Sequence, residues 1–148
     1  MINSELQKAA TQYLQWLQQE ALPLWAAKGI RAEGGHFERL NADGKPDLSS
    51  IVRIRVQARQ IYTFAQAYRK GWCVKGLALA EGLLAFCEQN TRAERAQQGY
   101  IHTLTPDFTP LDTKIDLYDH AFFLLAYAAL FSASSDTQYL QRAEQLWQ

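Results

Sequence analysis

The stretch IVRIRVQARQIYTFAQAYRKG, residues 51–71, decides the fold because it can be read in two ways. Ile54, Val56 and Ala58 alternate with Arg53, Arg55, Gln57 and Arg59, which taken alone fits a strand with one basic face. The continuation YTFAQAYRK is a good helix former, and the whole is too long for a single strand. Ser49 or Ser50 can cap its start, and Arg69 and Lys70 before Gly71 close it as a helix C-terminus should be closed. We therefore read a helix.

The flanking segments repeat that choice. Upstream, Ser4 with Gln7 has the form of a capping box, and Leu6, Ala10, Tyr13, Leu17 and Leu22 recur at near-helical spacing up to about Lys28, with Pro23 marking a kink or break. Between the two helices, GIRAEGGHFERLNADGKPD carries two adjacent glycines, the Asp43-Gly44 turn pair and Pro46, and predicts a short hairpin or ordered loop. Downstream, Val74, Leu77, Ala78, Leu84 and Cys87 predict a third helix from Trp72 to about Gln89, followed by the turn-rich GYIHTLTPDFTPLD. A fourth helix is predicted from about Lys114 to Phe131. Its AFFLLAYAALF core is apolar on every side and, at eleven residues, too short to span a bilayer, so it reads as a helix enclosed by protein. Ser135 with Gln138 repeats the capping box and starts a fifth helix near Asp136. That helix is still running at LQRAEQLWQ, without the Gly or Asn that usually closes one, and reads as interrupted. Strand signals are sparse, and the pattern predicts an all-α fold of stacked helical hairpins.

Composition sets the outer limits. With 148 residues, 48% hydrophobic and 12% aromatic, the chain can build one core. Fifteen basic residues balance fifteen acidic ones, which leaves no field to hold nucleic acid or an anionic membrane. The start, MINSELQKAATQYLQWL, lacks the features of a secretory signal, so a cytoplasmic protein is expected. Cys73 and Cys87, placed on one helix, would stand roughly 21 Å apart along its axis and could not bridge, and both read as reduced, buried small hydrophobes. His36, His102 and His120 show no metal-ligand spacing, and neither a metal nor a cofactor is expected.

Four stretches, taken in order, resemble the N-acylglucosamine 2-epimerase family: GGHFERLNADGKP at 34–46, RIRVQARQIYTFAQAY at 53–68, the Gly99-Tyr100 loop, and DLYDHAFFLLAYAAL at 116–130. This family includes mannose and mannose 6-phosphate isomerases and cellobiose 2-epimerases. The resemblance implies an (α/α)6 barrel with a sugar pocket at one end, of which residues 1–148 would be the N-terminal portion. The family's acid and base histidines lie in the second half of the barrel and are expected beyond residue 148. What the resemblance carries over to this chain is a substrate-side arginine, Arg59 in QARQ, and a pocket tyrosine, Tyr118 in LYDHAF. His36, between Gly35 and Phe37, departs from the commoner GGF pattern.

Arg55 lies one helical turn before Arg59 and could extend a basic face toward an anionic or phosphorylated sugar, or else pair with an acidic neighbour. Phe122, one turn after Tyr118, is a candidate pocket neighbour. Tyr118 and His120 stand about 200 degrees apart on a helix and should not share a pocket. His120 is therefore expected in a packing role with Asp116 as partner, and is kept as a lesser candidate for a base. The function implied is interconversion of an aldose with its 2-epimer or ketose, mannose-type isomerisation first, with the missing half of the barrel as partner and a homodimer compatible with it. The alternative is a noncatalytic helical module.

Overall fold

The computed structural model describes residues 4–92 and 99–148. Residues 1–3, from the start that reads as lacking a leader, and 93–98, from the loop after the third helix, lie outside the described residues. The first helical unit is α1 (Ser4–Trp16), a π-helical turn (Leu17–Ala21) and α2 (Leu22–Lys28). Pro23 therefore neither breaks nor caps the helix. A proline cannot donate to the preceding turn, and the ladder absorbs the loss by widening just before it. The apolar stripe predicted on this helix is buried only at its end. Leu22 is enclosed, whereas Leu6 and Tyr13 are each 63% exposed, and no residue of α1 is buried.

The helix reading of residues 51–71 holds, and the alternating residues Ile54, Val56 and Ala58 are helical rather than extended. Val52–Arg53 form a short strand, β1, and Ile54–Arg69 form α3, whose buried residues Ile54, Gln57, Ala58, Ile61, Phe64 and Ala65 follow helical spacing. Ser49 and Ser50 do not cap it, because their hydroxyls are taken by Asp47. The helix stops at Arg69, with Gly71 left-handed at φ 72°. The third helix, α4 (Gly76–Asn90), begins four residues later than predicted. A β-carbon on Gly76 would stand 2.4 Å from the Phe64 carbonyl oxygen, so only glycine lets α4 start this close to α3. Cys73 falls in the turn before α4, which removes the one-helix argument about the cysteines. Both are free thiols; Cys87 is fully buried, and burial pushes its pKa up, whereas Cys73 is half-buried.

The fourth helix, α5 (Leu117–Ser134), is shorter at its start than predicted because residues 110–115 are extended. Asp116 accepts a hydrogen bond from the Tyr118 N–H at 2.9 Å and caps α5 there. At 18 residues α5 is long and apolar enough to cross a membrane, which overturns the argument from length. Its buried face carries Asp119 and His120 against protein, while Leu117, Tyr118 and Leu125 stay exposed, so the helix is enclosed on one side only. The second capping box is not formed. Ser135 is the left-handed C-cap of α5, and Asp136 accepts from the Gln138 N–H at the start of α6 (Gln138–Trp147).

In the packed assembly α3 lies against both α4 and α5, and α5 against α6. Beyond the predicted hairpin loops there is an antiparallel three-stranded sheet, ordered β1-β2-β3, with β2 spanning Ile101–Leu104 and β3 Pro110–Ile115. Val52 pairs with Leu104, and Ile101 with Ile115. Since β1 runs directly into α3 and β3 into the cap of α5, the sheet sets the N-terminal ends of these two helices side by side with β2 between them.

The loop between α2 and β1 is the predicted ordered hairpin, with bridges Ile30–His36 and Leu40–Pro46. It is fastened to α3 by Gln57, whose side chain accepts from the His36 N–H and donates to the His36 carbonyl, both at 2.7 Å. The His36 ring is fully buried, stacked on Trp25, with Nδ1 bonded to the Phe37 carbonyl and Nε2 without a hydrogen-bond partner among the described residues. Burial lowers its pKa from 6.5 to about 4. Between these two values the unfolded chain binds a proton that the folded one does not, so stability is full above pH 6.5 and falls as pH drops toward 4, by roughly 3 kcal/mol at most. Urea unfolding across this range should show the loss, and His36→Gln should flatten that slope whatever its own stability.

Candidate functional site

The ends of α3 and α5 carry a continuous polar and aromatic cluster. Arg55 and Arg59 lie one turn apart on α3, and Tyr118 and Phe122 one turn apart on α5. The Arg55 guanidinium lies 6.0 Å from the Tyr118 ring centroid and that of Arg59 lies 5.5 Å from Phe122. The two rings meet edge to face at 5.1 Å. The structure thus brings together all four residues singled out for the substrate side. The cluster is open: Tyr118 is 61% exposed and Arg59 is exposed.

Behind this layer sits a residue that the sequence reading passed over. Asp119 is fully buried, and its carboxylate oxygens are divided between two elements. Oδ1 lies 3.4 Å from Arg55 Nη1 on α3, and Oδ2 lies 2.5 Å from His102 Nδ1 on β2. A buried carboxylate costs several kcal/mol unless it is paired, and here an arginine and an imidazole N–H both serve it. Of the two readings of Arg55, the pairing with an acidic neighbour holds. Arg59 has no acidic partner among the described residues.

The separation of Tyr118 from His120 is as the helical angle requires. Tyr118 faces outward over Arg55, whereas His120 is buried and its Nε2 accepts a hydrogen bond from the Tyr100 N–H at 3.1 Å. The expected partner, Asp116, is instead engaged as the helix cap. Nε2 is thereby occupied by a backbone N–H, and the ring takes the packing position expected of it. Tyr100, which it fixes, stacks on Phe123 with centroids 3.7 Å apart and shares a 2.5 Å hydrogen bond with Tyr127. Burial raises the pKa of both phenols, so they stay neutral. A surface depression of about 600 Å3 between Arg39 and Ser49 is lined by none of these residues. Its polar groups are spent locally: Asn41 Oδ1 accepts from the Asp43 and Lys45 N–H groups, and Asp47 accepts from Ser49, Ser50 and Arg39.

The packed helices are the architecture of part of a helical barrel, and sequence comparison makes the assignment specific. The family model for N-acylglucosamine 2-epimerase (GlcNAc 2-epimerase) matches residues 35–148, and the chain belongs to that family. It is 41% identical over 117 residues to a mannose-6-phosphate isomerase of Rhizobium meliloti (strain 1021), a match covering 78% of this chain and 29% of that protein. Among solved structures, the cellobiose 2-epimerase of Spirochaeta thermophila DSM 6192 superposes with a TM-score of 0.85 at 24% identity, covering 99% of this chain and 36% of the other. A D-mannose isomerase superposes with a TM-score of 0.69 at 19% identity, covering 97% and 35%. The chain therefore spans about a third of the length of the relatives it matches and has the fold of part of an (α/α)6 barrel.

Replacing Asp119 with alanine would leave Arg55 without its acidic partner in a half-buried setting. Equilibrium unfolding in urea should show Asp119→Ala destabilised by about 2–3 kcal/mol, below the range for a fully enclosed pair because Arg55 still reaches water.

Proposed function

We propose that the protein carrying this chain interconverts an aldose and its ketose or 2-epimer, with mannose-type isomerisation as its reaction, and that residues 1–148 supply the arginine side of the sugar pocket. The observation that carries this reading is Arg59: a permanently charged fork, without an acidic partner among the described residues, held over Phe122 beside the exposed ring of Tyr118. The family membership supports it, as do the names of the relatives, which include mannose-6-phosphate isomerase and D-mannose isomerase.

In this reading a base removes the proton at C2 of the open-chain sugar. The C–H electron pair forms the C1–C2 double bond, and the carbonyl electrons move onto O1 to give an enediolate. Passing the O2 proton to O1 and returning the carbon-bound proton to C1, with C2=O forming, yields the ketose, whereas re-forming the C1 carbonyl and returning the proton to the opposite face of C2 yields the epimer. Arg59 donates to the developing oxyanion, which a guanidinium can do without itself losing a proton. Tyr118 and Phe122 offer ring faces to the sugar's C–H surface. The base is assigned to histidines of the family's second half. Because the charge of Arg55 is already matched by Asp119, a neutral sugar fits this end of the pocket better than a phosphate placed on Arg55. A cytoplasmic setting belongs to the same reading.

The test is solvent deuterium incorporation at C2 of mannose, mannose 6-phosphate and N-acetylglucosamine by the intact protein. Exchange with mannose is expected, and no exchange across the panel would sink the proposal. Arg59→Ala should lower turnover by about 10²–10³-fold with an unchanged circular dichroism spectrum, the scale seen when one oxyanion donor is lost.

A further inference from the structure

The pairing of His102 with Asp119 is stronger than balancing one carboxylate requires, since Arg55 already reaches Oδ1. An ionised carboxylate can only accept, so the 2.5 Å contact places a hydrogen on His102 Nδ1. In the neutral ring that leaves Nε2 as a bare lone pair. Among the described residues Nε2 has no hydrogen-bond partner, and it is not an enclosed orphan either: such an atom is found at His36, whereas the His102 side chain remains 15% exposed. His102 sits on β2, the strand that separates the starts of α3 and α5, and is joined through Asp119 to Arg55, which lies against Tyr118. An oriented acceptor is thus tied, through Asp119 and Arg55, to the cluster that holds Arg59.

We infer that His102 is a further sugar-contacting residue of this pocket, whose Nε2 accepts a hydrogen bond from a substrate hydroxyl, and that Asp119 is its positioning residue. The inference deepens the sugar-isomerase reading and rests on it. The ligand class is a polyhydroxylated ring or open-chain sugar. Such a molecule needs fixed acceptors as well as donors, and the two arginines supply donors only. Asp119 acts through its neighbours: it fixes the imidazole tautomer and, from the other oxygen, the guanidinium of Arg55 under Tyr118.

Two measurements separate the dyad from the sugar reading. Long-range ¹H–¹⁵N spectra of the histidine rings in this chain should show His102 as the Nδ1–H tautomer, and Asp119→Asn, which keeps the shape but not the charge, should shift it toward a mixture. An Nε2–H tautomer, or one indifferent to Asp119→Asn, overturns the positioning role irrespective of any activity. In the intact protein, His102→Ala should raise KM for mannose about tenfold with a smaller change in kcat, the effect of one lost hydrogen bond, while Asp119→Asn lowers kcat/KM by a similar factor. Wild-type turnover with both variants within twofold of it would refute the contact alone. A wild type that turns over no sugar refutes the contact together with the reading beneath it, and the tautomer result then still decides whether the dyad exists.

Discussion

A carboxylate buried where two helices and a strand converge is the constraint on which the rest of this structure depends. Asp119 is enclosed within the start of α5, and an ion in that position has to be answered by groups from other elements. Arg55 arrives from α3 and His102 from β2, so one side chain fixes the distance between the two helix ends and the position of the intervening strand. The surface layer follows from it. Arg55 lies under Tyr118 because it is bound to the residue next to Tyr118, and Arg59 and Phe122 repeat the arrangement one turn further along.

Other contacts keep that convergence in place. Gln57, on the buried face of α3, makes the two hydrogen bonds to His36 that a strand neighbour would make, so a side chain serves as the edge that anchors the glycine-rich loop. In that loop Gly35 holds φ 78°, and a β-carbon there would come within 2.8 Å of the Phe86 ring. Arg31 links the loop to the β2–β3 turn: its guanidinium lies 4.6 Å from the centroids of both Phe37 and Phe108 and donates to the Pro106 carbonyl at 2.7 Å. His36 is thereby a structural residue, and its departure from the commoner pattern affects the buried stack on Trp25 rather than the open cluster.

Aromatic and polar pairs hold the outer helices. Tyr139 on α6 donates to Glu81 on α4, and Arg142 bonds Glu88, so α6 is joined to α4 by side chains although its main packing is on α5. The face of α1 and the outward stripe of α5 stay open to solvent. Leu6, Tyr13 and Trp16 on one, and Leu117, Tyr118 and Leu125 on the other, remain exposed. In α5 the same stripe carries the aromatic half of the candidate site.

Local chemistry was legible in the amino-acid sequence where the signal was local. The helical periodicity of α3, its closure at Arg69-Lys70-Gly71, the Asp43-Gly44 turn, the apolar α5 and the family motifs around Arg59 and Tyr118 could all be read from neighbouring residues. Capping was less legible, because several polar side chains compete for each helix start: Asp47 takes Ser49 and Ser50, and Asp136 replaces Ser135. Tertiary structure alone decided the sheet, whose first strand is two residues long and has no periodicity to detect. It also decided the set Arg55–Asp119–His102, whose members lie 64 and 17 positions from the shared carboxylate. A buried charge selects its partners by distance in space, and that distance is set by strand register and helix packing, which no short stretch of sequence contains.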